Sequence, residues 1–198
     1  MANTLRDALV DEIRDLYHAE KQLLKALPKL AKNASSEDLT EALESHLGET
    51  EDHVNRLEQA FEHLGEKVRA KTCAGMAGIV EEGSEMLEED FEGAVMDAAI
   101  IAAAQRSEHY EIAAYGTAAA WAEALGEAEV AALLTETLNE EKAADEKLTA
   151  LAEAGINAAA TAGESDEDEA DEAMATASAS RATPNRAAAG RKAQSSKR

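Results

Sequence analysis

The sequence contains few aromatic residues and only two prolines, Pro28 and Pro184. Aromatic residues make up 3% of the 198 residues, and Val, Ile, Thr and Tyr are scattered along the chain. Because strands need such side chains in alternation, the composition argues against a β-sheet. The hydrophobic content of 45%, mostly Ala and Leu, is enough to bury a core. We therefore predict an all-α fold.

Cysteine and long apolar runs are also scarce. Cys73 is the sole cysteine, which excludes an intrachain disulfide and favours a reducing compartment. The amino terminus lacks the basic start and continuous apolar segment of a signal peptide, and no apolar run reaches 18 residues. We expect a cytoplasmic protein with no membrane partner.

Basic residues are few relative to acidic ones, and the formal net charge is −22. The segment from Glu164 holds seven acids and six bases, whereas the preceding body holds 34 acids and 13 bases, a net charge of −21. Such a surface repels nucleic acid and suits cations, although solubility explains an acidic surplus equally well. Contact with nucleic acid stays open only for the basic residues 181–198.

Apolar residues recur at three- and four-residue spacing in four long segments, which predicts four amphipathic helices. Pro28 is expected to kink or loosen the last turn of the first helix, while Gly65 and Gly126 end the second and third. The predicted long helices cover about 4–32, 35–64, 91–125 and 128–154, with a short crossover helix over 79–89. These elements are typical of an antiparallel four-helix bundle with one crossover.

The bundle is predicted to occupy residues 1–160, followed by a disordered tail, acidic and then basic, over 161–198. The two halves of the bundle also resemble each other. A shift of 91 residues places YHAE at 17–20 beside EHYE at 108–111. This similarity indicates a duplicated helical hairpin, although helices rich in Ala and Glu also align by chance.

Carboxylates and imidazoles interrupt the apolar stripe of every long helix. An unpaired buried carboxylate costs several kcal/mol, so each such position needs a cation, a proton or a donor from another helix. A salt bridge at Glu20 or a hydrogen-bonded core histidine at His46 would explain a single position, but not all four helices. Imidazole and carboxylate together suit iron, manganese or zinc. The candidate metal ligands are Glu20, His46, Glu49, His53, Glu108, Glu111, Glu140, Glu141 and Asp145.

Five segments carry a resemblance to a known family. They are LYHAEKQLLKALPKLAKNASS, LESHLGETEDHVNRLEQAFEHLG, CAGMAGIVEEGSEML, DAAIIAAAQRSEHYEIAAYGT and LLTETLNEEKAADEKL. The chain resembles the ferritin-like superfamily and, within it, the YciE/YciF family of bacterial stress-associated proteins. The resemblance implies a ferritin-like antiparallel four-helix bundle, a homodimer in the bacterial cytoplasm and a candidate di-metal site.

The ligand pattern departs from that of the di-iron relatives. In those proteins two helices give one Glu each and the other two give a Glu-x-x-His motif each. Glu20 and Glu108 match the first kind. The second kind is missing, because Thr50 stands three residues before His53 and Ala144 three residues after Glu141.

Two functions remain in competition. The first is a di-metal redox protein with ferroxidase or peroxide- and oxygen-linked activity. In it, Glu49 together with Glu141 or Glu140 bridges two ions, most simply iron, and Glu20 and Glu108 cap either side. The alternative is a non-catalytic dimeric stress protein that buffers metal or binds a partner, and the missing motifs favour it. The sequence shows no nucleophile constellation and no phosphate-binding loop. Whether the chain is an enzyme is therefore left open.

Overall fold

A computed structural model describes residues 4–162, and this part of the chain is helical without any strand. The helices are α1 (Leu5–Asn33), α2 (Glu37–His63), α3 (Ala74–Met86), α4 (Gly93–Leu125) and α5 (Ala128–Leu151). A π-helical turn at Ala152–Ile156 follows α5, and helical residues continue over 157–162. The prediction of an all-α fold is confirmed.

Side chains at the helix ends determine where α1 and α2 begin. Thr4 and Asp7 form a reciprocal capping box at the start of α1. Ser36 caps α2 by accepting a hydrogen bond from a backbone N–H of its first turn. The carboxylate of Asp97, on α4, accepts the backbone N–H groups of Ser35 and Ser36 at 2.7 and 3.0 Å. The loop between α1 and α2 is therefore held against α4.

Short connections turn the four long helices into two antiparallel hairpins. Residues 34–36 join α1 to α2, and Gly126, in the left-handed region with a φ of 77°, lets α4 reverse into α5. The helix α3 crosses between the hairpins and packs against α1 and α4. Since α1 packs on α2 and α4 while α5 packs on the same two helices, the hairpins close into a bundle. The predicted four-helix bundle with one crossover helix is confirmed.

Three local details differ from the sequence prediction. Helix α1 runs through Pro28 without interruption, so the expected loosening does not break it. Helix α3 begins at Ala74, earlier than predicted, because the Cys73 thiol caps its first turn. Helix α5 ends at Leu151, where the backbone changes to the π-helical turn that contains Gly155.

The interior of the bundle contains two apolar clusters. One is built around Leu9, Ile13, Leu16, Phe61, Tyr115 and Leu134. The other is built around Leu23, Leu27, Leu39, Met76, Ile100 and Leu148. Full burial of such a side chain contributes about 1.5–3 kcal/mol, so these clusters supply most of the stabilisation of the bundle. Every long helix takes part in both clusters, and between them each helix carries buried ionisable residues.

The hairpins also repeat in their boundaries. The 91-residue shift places Glu37, the first residue of α2, on Ala128, the first residue of α5. This agreement supports the interpretation of a duplicated hairpin.

Two further predictions concern the tail and membrane association. The predicted tail over 161–198 lies outside the described residues, except for its first two, which are helical. Within residues 4–162, none of the helices combines the length and the apolar composition that a bilayer span requires.

Candidate metal centre

Four helices bring six ionisable side chains together between the apolar clusters, and we call this set the polar layer. Positions three or seven residues apart share one face of a helix, so α2 and α4 each place two members inward. All six are at most 5% exposed. The members of the polar layer are Glu20 from α1, His46 and His53 from α2, Glu108 and Glu111 from α4, and Glu141 from α5.

Three members of the polar layer form an inner cluster, defined as Glu20, His53 and Glu141. The Nδ1 atom of His53 lies 2.9 Å from Glu141 Oε1 and 3.4 Å from Glu20 Oε1. All three side chains are fully buried, and their ligand atoms lie within 4.8 Å of one another. Tyr115 donates its hydroxyl hydrogen to Glu20 Oε1 and thereby orients that carboxyl group. The inner cluster could hold one divalent cation.

An outer cluster consists of His46, Glu108 and the same Glu141. The Nε2 atom of His46 lies 3.4 Å from Glu108 Oε1 and 3.7 Å from Glu141 Oε2. Glu141 thus turns Oε1 toward His53 of the inner cluster and Oε2 toward the outer cluster. A carboxylate in this position can bridge two cations.

The polar layer is poor in hydrogen bonds. Among residues 4–162, nine buried side-chain nitrogen or oxygen atoms have no hydrogen-bond partner, and eight of these atoms belong to the polar layer. They include both oxygens of Glu111 and of Glu141. Leaving a buried polar group unpaired costs about 1–3 kcal/mol, and more for a charged one. Divalent cations would satisfy these atoms together, so the residues present fit a metal pair.

Burial also changes the protonation of the polar layer. Burial raises the pKa of Glu108 and of Glu111 well above the usual value. The Glu141 carboxylate raises the pKa of Glu108 further, and Glu20 does the same for Glu111. Burial alone would lower the pKa of His53, but the carboxylates of Glu141 and Glu20 beside its Nδ1 outweigh it and raise the pKa to about 10. In the absence of metal, bound protons therefore offset part of the negative charge.

Each histidine binds a second acid through its outward nitrogen. Glu49 Oε2 lies 3.2 Å from His46 Nδ1, and Glu140 Oε2 lies 2.9 Å from His53 Nε2. Arg56 in turn donates to Glu140 Oε1 at 2.8 Å. Such acids fix the orientation of an imidazole ligand and the nitrogen that carries its proton. The structure therefore places Glu49 and Glu140 behind the histidines, whereas Glu141 belongs to both clusters.

Asp145 is a candidate ligand that lies outside the polar layer and is paired with neither of its histidines. Its Oδ1 atom lies 3.0 Å from Gln105 Nε2 and 3.2 Å from His109 Nε2. These contacts connect α5 with α4 at the edge of the bundle. Asp145 follows Glu141 by four residues, one turn further along α5, and its contacts with Gln105 and His109 hold its carboxylate outside the polar layer.

Comparison with known proteins identifies the family. Residues 4–161 match the family described as a domain of unknown function, DUF892. The chain belongs to this family. Protein YciF of Escherichia coli (strain K12) is 47% identical over 155 residues, which cover 78% of this chain and 93% of YciF. The resemblance to the YciE/YciF family is therefore confirmed.

Solved structures agree with this membership. The crystal structure of the E. coli stress protein YciF matches with a TM-score of 0.76 at 46% identity, covering 79% of this chain and 99% of that one. YcfI from Rhodopseudomonas palustris gives a TM-score of 0.73 at 47% identity, covering 74% and 94%. A protein from Xanthomonas campestris pv. campestris has 21% identity, a TM-score of 0.63 and coverage of 83% and 99%, and it supports the fold alone.

In this member of the DUF892 family, the polar layer contains candidate ligands although the Glu-x-x-His motifs are missing. The 91-residue shift that pairs Glu20 with Glu111 also places Glu141 on Thr50 and His53 on Ala144. His46 and Glu108 supply an imidazole and a carboxyl group in addition to the repeated positions. The polar layer therefore contains four carboxyl groups and two imidazoles, with both imidazoles on α2.

The ligand pattern of the di-iron relatives matched Glu108 and did not include Glu111. Glu111 is nevertheless fully buried. The signal that identifies it is the internal repeat, because the shift places it on Glu20.

Proposed function

We propose that this chain is a stress-associated protein that binds two divalent transition-metal ions in the polar layer. The observation that carries the proposal is the position of Glu141, which turns one oxygen to each cluster. The combination of imidazole and carboxylate ligands makes iron the first candidate, with manganese and zinc as alternatives. The stress association comes from the similarity to the E. coli stress protein YciF.

Each residue of the polar layer has a role in this proposal. Glu20 and His53 would hold one ion, His46 and Glu108 the other, and Glu141 both. Glu111, whose two oxygens have no hydrogen-bond partner, would supply a further carboxylate. Ion binding requires the carboxyl groups and His53 to release their protons, so the pair would replace protons as the counter-charge of the layer.

A bound iron pair would supply one-electron chemistry with dioxygen or peroxide, which is the ferroxidase form of the proposal. The chain itself contributes positioning: Tyr115 orients Glu20, while Glu49 and Glu140 orient the histidines. A metal buffer, in a homodimer, is the second form, and it uses the same site without turnover. The two forms differ only in whether bound iron is oxidised faster than free iron.

Metal binding is tested first with the full chain after removal of metal by a chelator. The protein is incubated with Fe(II) without oxygen, or with Mn(II) or Zn(II), then desalted and subjected to elemental analysis. We expect about two ions per chain to remain bound, as in other di-metal bundles. Failure to retain any of the three metals would overturn the proposed function.

Redox activity is tested by adding Fe(II) in air and following absorbance by stopped flow. The wild type is compared with a Glu20→Ala, Glu108→Ala variant, which loses a ligand from each cluster. Glu146→Ala provides the control, because Glu146 is an exposed acid on α5. Faster oxidation by the wild type and the control supports the ferroxidase form. Equal oxidation rates in all three proteins, with metal still bound by the wild type, would contradict the ferroxidase form and support the metal-buffer form.

A further inference from the structure

A cavity of about 140 Å³ lies between α2 and α5 and reaches the polar layer. His46 and Glu108 of the polar layer form part of its wall, and each has a buried atom without a hydrogen-bond partner, His46 Nε2 and Glu108 Oε2. Glu49, whose side chain is 42% exposed, lines the same cavity. The cavity therefore connects a partly exposed carboxylate with the buried ligand atoms of the outer cluster.

The wall of this cavity suits the passage of cations. Besides His46, its ionisable side chains are three carboxyl groups and one lysine: Glu49, Glu108, Glu140 and Lys147. A cleft lined mainly by acids raises the local concentration of cations and repels anions. The unpartnered atoms at its inner end are groups that a cation would satisfy. Because the members of the polar layer are at most 5% exposed, a cation needs such an opening to reach them.

An ion-pair network closes the other end of the interface between α2 and α5. Arg56 of α2 donates hydrogen bonds to Glu140 Oε1 at 2.8 Å and to Glu136 Oε1 at 3.0 Å, both on α5. A second nitrogen of the same guanidinium contacts the other oxygen of Glu140, which also lies 2.9 Å from His53 Nε2. This network covers the inner cluster on the side of Arg56.

The internal repeat relates the closed end of the interface to the open one. The 91-residue shift places Glu49 on Glu140 and Arg56 on Lys147. Glu49 and Lys147 are therefore the counterparts of the paired Glu140 and Arg56. Both line the cavity, but Lys147 forms no ion pair within residues 4–162. An arginine can hold a carboxylate through two parallel hydrogen bonds, whereas the ammonium group of a lysine acts as a single point charge.

We propose that divalent cations enter the polar layer through this cavity, pass Glu49 and reach the outer cluster before the inner one. Lys147, an exposed residue of the cavity wall, repels the incoming cation and so limits the rate of entry. The proposal rests on the proposed metal pair. Its distinct content is the route, which is open between Glu49 and Lys147 and closed at the equivalent place by Arg56.

The test follows the loading of the full, metal-free chain with Co(II). Stopped flow records the visible absorption that develops when protein ligands replace water on cobalt, and elemental analysis gives the final content. Lys147→Glu reverses the charge beside the cavity, so loading should be about tenfold faster than in Lys142→Glu at low ionic strength and less so at high salt. Lys142 is the matched control, because it is an exposed lysine of α5 outside the cavity wall and its replacement changes the net charge equally.

A second pair of variants tests the width of the route. Ala144 lines the cavity, so Ala144→Leu should narrow it and slow loading at least about tenfold. Ala150→Leu, at an exposed alanine of the same helix, should load like the wild type. After long incubation all four variants should reach the cobalt content of the wild type, because the route affects the rate of entry and leaves the ligands in place.

Loading of Lys147→Glu that is no faster than that of Lys142→Glu would overturn this inference and leave the metal site standing. Loading of Ala144→Leu as fast as that of Ala150→Leu would do the same. Should Ala144→Leu fail to fold, the two lysine variants decide alone. A wild type that retains no Co(II), Fe(II), Mn(II) or Zn(II) would instead overturn the proposed function, and this inference with it.

Discussion

The two hairpins share one backbone plan, but they bring different chemistry to the layer between them. The α1–α2 hairpin supplies one carboxyl group and both imidazoles, whereas the α4–α5 hairpin supplies three carboxyl groups and no imidazole. Neither hairpin contains a complete cluster, because both clusters combine a histidine of the first with Glu141 of the second. The repeat thus determines which positions face inward. Differences at single positions, such as Glu141 against Thr50 and His53 against Ala144, give the two hairpins different side chains there.

The difference between the hairpins also affects the protonation of their buried carboxyl groups. The three carboxyl groups of the α4–α5 hairpin are buried, and burial together with repulsion from neighbouring carboxylates, including Glu20 of the other hairpin, raises the pKa of Glu108 and Glu111. The imidazoles come only from the opposite hairpin, so ions held between the two would connect them. Metal binding should therefore stabilise the packing of one hairpin on the other.

Replacement of the shared carboxylate should have the largest effect. Glu141→Ala removes the residue that both clusters use, so we expect metal content to fall from about two ions per chain to background. Elemental analysis after desalting measures this, with Glu146→Ala as the control on the same helix. Retention of one full equivalent by Glu141→Ala would show that one position is complete without the bridge.

Replacement of either histidine should have an intermediate effect. Both histidines lie on α2, but each belongs to a different cluster, so the two variants distinguish the clusters. His53→Ala removes the inner imidazole and His46→Ala the outer one, so each variant should keep about one ion. Elemental analysis after desalting measures the ion content, with Glu146→Ala as the control. Loss of both ions or retention of both in either variant would contradict the assignment of one histidine to each cluster.

Removal of the charge of Glu111 should have the smallest effect, on the stability of the metal-free protein. The folded protein keeps the Glu111 proton that the unfolded chain loses above the usual pKa of 4.5, so this residue destabilises the fold increasingly as the pH rises. Glu111→Gln should match the wild type near pH 4 and gain about 1–3 kcal/mol over it at pH 8. Urea unfolding of both metal-free proteins at the two pH values provides the measurement.

Glu146→Gln serves as the control for that comparison, since the residue is exposed and the substitution should leave the pH dependence unchanged. A gain in the free energy of unfolding that is the same at pH 4 and pH 8 would mean that packing, and not ionisation, explains the effect of Glu111→Gln.

The helices could be predicted to within a few residues because their signals are local. Apolar spacing and the capping residues Thr4 and Ser36 are visible in the sequence, and the glycine that ends α4 is as well. Helix α3 begins earlier than the sequence predicts, because a thiol cap such as that of Cys73 is not a common sequence signal.

The site could be predicted only in part, because a helical face is known to no better than about one residue, or 100°. Glu140 and Glu141 show the consequence. Both approach His53 at 2.9 Å, but Glu140 reaches the outward Nε2 and Glu141 the inward Nδ1. Their order along the chain does not distinguish a supporting acid from a bridging ligand.

The sequence by itself determined that this chain forms paired helices with carboxylates and imidazoles on their buried faces, because periodicity and unpaired polar residues are properties of one helix at a time. Only the tertiary structure decided that these residues divide into an inner and an outer cluster joined by Glu141. That division depends on how four helices are rotated and spaced relative to one another, which the packing of the two apolar clusters sets.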